Sequence, residues 1–269
     1  MRRIKWWQVV LVLVLAGAGG ALAVLATRSA DEPEATAPTP SAGAPRPSGS
    51  AAPSTPPRTG TGIRLDFDGG LERGGDGLAL TQKAQLGGEL TFVAHDSGLA
   101  VRFPDSCHAA SEDTCPRAIL EVADSAGLNP GLRPLHWGAA VFLTAGETSK
   151  GSNVVQKGYS MTGTQFKLQV DGYEGKPSCV VSGPVDGKNH IFVALADRGV
   201  ADGGWHRVEC SRNGAKLLVL VDGKPSGETD LPADLAIDNE APVRIGGKGA
   251  ATNNDQFHGM IDDVFVDIE

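Results

Sequence analysis

The stretch that decides the fold begins Gly203-Gly204-Trp205-His206-Arg207-Val208-Glu209-Cys210-Ser211-Arg212-Asn213-Gly214. It continues through Lys216-Leu217-Leu218-Val219-Leu220-Val221-Asp222-Gly223 and ends Phe257-His258-Gly259-Met260-Ile261-Asp262-Asp263-Val264-Phe265-Val266. Asn213-Gly214 and Asp222-Gly223 each follow a β-rich run. Such pairs supply the positive φ angles that a two-residue antiparallel turn requires. Val208–Arg212, Lys216–Val221 and the segment from Lys224 therefore read as a meander.

Working outward, strand signals recur. Ile63, Leu65 and Phe67 alternate with polar residues, as do Phe166, Leu168 and Val170 with Gln165, Lys167 and Gln169. Ala139, Val141 and Leu143 form a similar set with Trp137 in phase. A period of two marks a strand with one buried face. Further runs at 90–93, 99–103, 118–122, 153–157, 178–182, 191–195, 243–245 and 262–268 bring the number to about a dozen, with Gly, Asp and Asn between them. That pattern predicts an all-β fold, an antiparallel sandwich. A short helix is expected near 123–127 or 232–235.

The order of these segments resembles laminin-G-like domains of the concanavalin A-like lectin/glucanase superfamily, in their bacterial exported form. The resemblance rests on the Trp205 strand, the Val221-Asp222-Gly223 turn, Ile245-Gly246-Gly247 and Gly259-Met260-Ile261-Asp262-Asp263-Val264. Asn153–Gly158, Phe166–Asp171 and the opening Leu65-Asp66-Phe67-Asp68-Gly69 add to it. It implies a jelly roll whose first and last strands lie side by side, and a binding module outside the cell. A scaffold of this kind carries many unrelated sites, so the ligand is not implied with it.

The N-terminus agrees with export. Arg2, Arg3 and Lys5 precede an uncharged stretch from Trp6 to Thr27. A basic start followed by such a stretch is an export signal. It is long enough to remain as a transmembrane anchor with the N-terminus inside, and small residues at 21–26 also allow cleavage. Residues 1–30 are thus a signal anchor or a signal peptide. Residues 31–60, rich in Pro, Ala, Ser and Thr, cannot build a core and read as a disordered stalk. Residues 61–269 are the folded domain, placed outside the cytoplasm, either membrane-anchored through 6–27 or secreted.

The chain carries −8. Residues 1–60 hold six of its 24 Lys/Arg and three of its 32 Asp/Glu, which leaves 18 against 29, a net of −11, for the remainder. A domain so acidic, without a basic stripe, argues against a nucleic-acid partner. Four cysteines, Cys107, Cys115, Cys179 and Cys210, in an exported chain point to disulfides. Of the three possible connectivities we favour Cys107–Cys115, across a short polar loop, and Cys179–Cys210, between two strands. A zinc site on Cys107, His108 and Cys115 matches no common ligand spacing.

Catalytic signatures are missing from the sequence. The Glu-x-Asp-x-x-Glu strand of laminarinase-type hydrolases does not occur, nor does a Gly-x-Ser-x-Gly elbow or a His-Glu-x-x-His helix. Binding is expected instead of catalysis. If the end strands pair, Asp66, Asp68 and Asp262 could share a structural calcium ion, which takes several oxygen ligands. Tyr159 and Tyr173, in Gly-rich loops, are candidate sugar platforms. Gln165, Lys167 and Gln169 form a candidate polar sheet face, with Arg207 and Glu209 expected opposite. The leading ligand class is a glycan or cell-wall polysaccharide. The alternative is a protein-interaction or adhesion module for a cell-surface protein, and a weaker third reading is a glycoside hydrolase without the usual carboxylates. His206, in phase with Val208 and Cys210, is expected to be buried and hydrogen-bonded.

Overall fold

The computed structural model describes residues 61–71, 77–107, 112–148, 151–172 and 174–269. The export segment, the stalk, His108 and Tyr173 lie outside the described residues. In chain order the strands are β1 (Thr61–Leu65), β2 (Leu80–Gln85), β3 (Thr91–His95), β4 (Gly98–Phe103), β5 (Arg117–Val122), β6 (Leu135–Thr144) and β7 (Ser152–Gly158). They continue as β8 (Gln165–Asp171), β9 (Lys176–Val185), β10 (Lys188–Leu195), β11 (Asp202–Asn213), β12 (Lys216–Val221), β13 (Lys224–Asp230), β14 (Val243–Ile245) and β15 (Gly259–Ile268). The helical segments among the described residues are short 3-10 turns, one of them at Ala126–Leu128 in the neighbourhood expected.

Two antiparallel sheets form the sandwich. One runs β13-β12-β11-β6-β15-β4-β3, with β1 also paired to β15; the other runs β10-β9-β8-β7-β14-β5-β2. The first and last strands are therefore neighbours, with Ile63 opposite Val266. The meander β11-β12-β13 forms as expected, but its first turn is displaced by one residue. Asn213 pairs with Lys216, so the turn is Gly214-Ala215, with Gly214 supplying the positive φ. Asp222-Gly223 is the second turn, both residues at positive φ. The strand β2 escapes the sequence pattern because its side chains are almost all exposed and it lies at a sheet edge.

Alternation sends one row of each strand inward. Trp137 of β6 and Phe166 of β8 meet between the sheets with ring centroids 5.5 Å apart, and both are fully buried. The sheets are also joined covalently, because Cys179 lies on β9 and Cys210 on β11. Cys107 and Cys115 form the second disulfide, so both favoured pairings are present.

Two buried cations interrupt the apolar interior. Lys157 Nζ lies 2.8 Å from Asp124 Oδ1 and donates to Asn239 O at 2.6 Å and Asn239 Oδ1 at 3.2 Å, which occupies all three ammonium donors. Arg212 donates to Gly131 O at 2.8 Å, Arg133 O at 3.2 Å and Leu235 O at 2.7 Å. Buried charges persist when most of their hydrogen bonds are met, and Arg212 Nε is the one of their donor nitrogens left without a partner among the described residues. Here both cations fasten the long connections after β5 and β13 to the sandwich.

Candidate functional site

The outward face of the seven-stranded sheet is polar, and its register fixes which side chains are neighbours. One row crosses the sheet as Asn153, Gln169, Ser178 and Leu195. The next runs Thr81, Glu121, Arg244, Gln156, Lys167, Val180 and Val193. A third runs Gly158, Gln165, Ser182 and Ile191. Three of the residues singled out in the sequence, Gln165, Lys167 and Gln169, thus stand together on β8. Period-two alternation places them there, since Phe166, Leu168 and Val170 face inward.

Amides and hydroxyls link along this floor. Lys167 Nζ donates to Gln169 Oε1, and Gln169 Nε2 donates to Asp171 Oδ1. Asn153 Nδ2 donates to Gln156 Oε1 at 2.6 Å, while Gln156 Nε2 and Gln165 Nε2 both donate to Gly158 O, at 2.7 and 3.2 Å. Asn153 Oδ1 and Ser182 Oγ are buried and have no partner among the described residues. Burial lowers the pKa of Lys167 and raises that of Asp171. Both shifts disfavour charge on the floor.

Loops and an edge strand border the floor. Tyr159 sits under the Arg244 guanidinium, 5.1 Å from ring centroid to Cζ, and donates to Lys248 O at 2.5 Å. Lys248 pairs with Asp255 at 3.0 Å and Arg244 with Glu121 at 2.8 Å. On the other side, Ile191, Val193 and Leu195 of β10 leave 55, 45 and 50 % of their surface exposed. Arg207 and Glu209 are not part of this face. They belong to β11 in the other sheet, on the opposite side of the sandwich, because the strand expected to face β8 is paired elsewhere.

That opposite face carries a cluster the sequence did not suggest. Trp205 packs on His95, and Phe142 is tilted against Trp205 with centroids 5.7 Å apart. Phe265 lies between Arg64 and Arg207, whose Cζ atoms are 5.3 and 5.2 Å from its ring centroid. A Cβ on Gly138 would approach Phe265 Cε1 to 2.8 Å, so the absence of a side chain there makes room for the ring. His206 is hydrogen-bonded as expected but only half-buried, at the rim, between Asp202 and Asp222.

The three aspartates named for calcium do not form a ligand set as placed. Asp262 Oδ2 lies 2.6 Å from His95 Nδ1 and its Oδ1 accepts from Asp263 N at 2.7 Å. Asp68 Oδ1 accepts from Leu99 N at 2.9 Å, and a Cβ on Gly98 would stand 1.7 Å from it. Asp66 Oδ1 faces Asp68 N at 3.2 Å. Among the described residues no group of three or more His, Cys, Asp or Glu is set to hold a metal ion.

Comparison with known proteins places this architecture. Residues 159–269 match the laminin G domain family. No curated protein matches the chain in sequence. In fold it is similar to domain 4 of AbnA, a GH43 extracellular arabinanase from Geobacillus stearothermophilus, solved in complex with arabinotriose. The TM-score is 0.57 at 13% identity, over 77% of this chain and 91% of that one. It is also similar to the binding domain of Paraclostridial Mosquitocidal Protein 1 (TM-score 0.53, 11% identity, 77% and 48%). The binding domain of botulinum neurotoxin DC in complex with SialylT gives 0.52 at 9% identity over 76% and 47%. The chain spans about half the length of these two toxin chains. Identities this low speak for fold alone. The match over residues 159–269 and the two-sheet topology thus make the folded part of this chain similar to laminin G domains and, in fold, to these binding domains.

Proposed function

We propose that the chain is an extracytoplasmic glycan-binding module and that its ligand, with cell-wall polysaccharide the leading class, lies on the outward face of the seven-stranded sheet. One observation carries this reading. Asn153, Gln156, Gln165, Gln169, Ser178 and Ser182 line up on three neighbouring strands, and Asn153 Oδ1 and Ser182 Oγ are left without partners there. Buried polar atoms are normally paired. A polyhydroxylated chain supplies donors and acceptors at the spacing of such a floor. The similar fold of AbnA domain 4, solved with arabinotriose, supports the reading. The basic start and apolar segment at 1–27 support export. The role is binding and not hydrolysis, since the side chains lined up across β7, β8 and β9 are amides and hydroxyls, and Glu121 and Asp255 nearby are engaged by Arg244 and Lys248 and do not form the two opposed carboxyl groups a glycosidase needs.

The test is an array of glycans and cell-wall polysaccharides probed with the full-length chain, with calcium and with chelator. Specific binding that falls at least tenfold in Gln165→Ala/Gln169→Ala supports the site. Binding that the double variant leaves unchanged moves the site elsewhere on the molecule. A second reading, a protein-interaction module, is favoured by the exposed aliphatic row Ile191, Val193 and Leu195. A blank array together with saturable capture of one surface protein, lost in Val193→Asp, would establish it.

A further inference from the structure

We infer that the glycan taken by this face is uncharged, and that sulfated, uronate-bearing and sialylated chains are rejected. The inference rests on the reading of the seven-stranded sheet as a glycan site. It follows from how each cation named on or beside that face is already engaged.

Arg244 Nε lies 2.8 Å from Glu121 Oε1, and the two side chains are only 14 and 18 % exposed. Lys248 pairs with Asp255 at 3.0 Å. Lys176 at the start of β9 pairs with Glu174. Lys167 donates to Gln169, whose amide in turn donates to Asp171. Four cations, Lys167, Lys176, Arg244 and Lys248, thus stand beside four carboxylates, Glu121, Asp171, Glu174 and Asp255. Recognition of an anion uses charge-assisted hydrogen bonds from a cation or a fork of N–H groups free to turn to it. Here an incoming sulfate or carboxylate would meet a like charge beside each of these four cations, and displacing one partner would leave a carboxylate unpaired in a half-buried setting. Lys83, on the same face, stands apart from them at the exposed edge strand β2.

The long-range field acts in the same sense. The chain outside residues 1–60 carries −11, which slows the approach of any polyanion. What the face offers a ligand is neutral: the amides of Asn153, Gln165 and Gln169, the hydroxyl of Ser182, and the aliphatic ends of the three rows at Ile191, Val193 and Leu195. Hydroxyl groups match the first set. The C–H faces of sugar rings match the second, and such packing needs no formal charge.

The experiment is isothermal titration calorimetry of the full-length chain in detergent micelles. The neutral probes are linear arabinan, a β-glucan and xylan; the anionic probes are polygalacturonate, heparin and polysialic acid. Each is measured at 50 and 300 mM NaCl. The expected result is binding to at least one neutral polymer, changing less than twofold between the two salt concentrations, with every polyanion at least tenfold weaker. Glu121→Gln, which releases Arg244, should raise polyanion affinity at least threefold at 50 mM NaCl and leave the neutral polymer within twofold. Preference for a polyanion, weakening with salt, would overturn the inference while leaving the glycan site standing. Binding to no polymer of either class would overturn the glycan reading and the inference with it.

Discussion

His95 lies flat on Trp205, with ring centroids 3.7 Å apart and 23° between planes, while its Nδ1 stands 2.6 Å from Asp262 Oδ2. One imidazole thus joins the β3–β4 turn, the start of β11 and the bulge of β15. Burial pushes the Asp262 carboxyl up from its ordinary value, and the bonds from His95 and the Asp263 N–H only partly offset this. Removing the ring would leave that carboxyl buried without its strongest partner. His95→Ala should therefore destabilise the domain by about 1–3 kcal/mol, read from urea unfolding. Asp262→Asn should cost less than His95→Ala, because the amide oxygen still accepts from the Asp263 N–H, the amide NH2 can donate to His95 Nδ1 in the Nε2–H tautomer, and no charge is buried. Equal costs would show that stacking on Trp205, and not the carboxyl, is what His95 supplies.

The two disulfides differ in what they hold. Cys179–Cys210 ties β9 to β11 across the sandwich over a separation of 31 residues, while Cys107–Cys115 spans 8. Chain-entropy reasoning gives the longer loop about 3–4 kcal/mol and the shorter about 2–3 kcal/mol. Cys179→Ala/Cys210→Ala should lower the urea midpoint more than Cys107→Ala/Cys115→Ala. A larger loss from the short loop would mean that its bridge orders a segment with contacts of its own.

The fold was legible because alternation and turn chemistry are local. Gln165–Val170 announces its two faces in six residues, and Asp222-Gly223 announces its turn in two. The displaced turn at Gly214-Ala215 and the unseen β2 mark the limit of local signals, since a glycine can occupy either central position and an exposed edge strand shows no apolar period. The candidate site was legible only as one row. That Lys167 and Gln169 line a sheet face follows from β8 alone; that Ser182, Asn153 and Arg244 join them depends on which strands pair. Arg207 and Glu209 were misassigned for the same reason. His95 and Asp262 are 167 residues apart, so no spacing brings them together.

Arg212 shows how a polar residue on an inward face can be structural. It shares the inward row with Val208 and Cys210 and is fully buried, with no carboxylate among its partners in the described residues. Its three acceptors are backbone carbonyls of the connections around 131–133 and 235. Arg212→Met keeps the stem and removes the donors, leaving those carbonyls unmet at about 1 kcal/mol or more each. We expect a loss of about 2–4 kcal/mol in urea unfolding, accompanied by faster amide exchange at Gly131 and Ile237, which bond to each other across the same junction. Unchanged exchange there would place the contribution of Arg212 in packing alone.

His206 makes stability depend on pH in a direction that can be worked out. Its Nε2 is 3.1 Å from Asp202 Oδ1 and its Nδ1 is 3.1 Å from Asp222 Oδ2, so both nitrogens donate only in the imidazolium form. Burial disfavours that charge, but the bonds to Asp222 and Asp202 outweigh it and hold the pKa above its ordinary value. The stabilisation is then fully present below the unfolded value of about 6.5 and is lost as pH rises through the higher folded value. The carboxylates close the window from below. Asp202 is held low by the Gly204 N–H and then by His206. Asp222 is raised by burial but lowered more by His206 and the Arg207 N–H. Their contribution is present above about pH 3.9 and disappears as pH falls through the depressed folded values. The cluster should thus stabilise most between these limits. Thermal melts of the full-length chain from pH 5 to 9 should show wild type losing more than His206→Gln above pH 6.5, by no more than about 3 °C because the carboxylates are largely solvated. Parallel curves for the two proteins would mean that the imidazole stays neutral and bonds only one aspartate at a time.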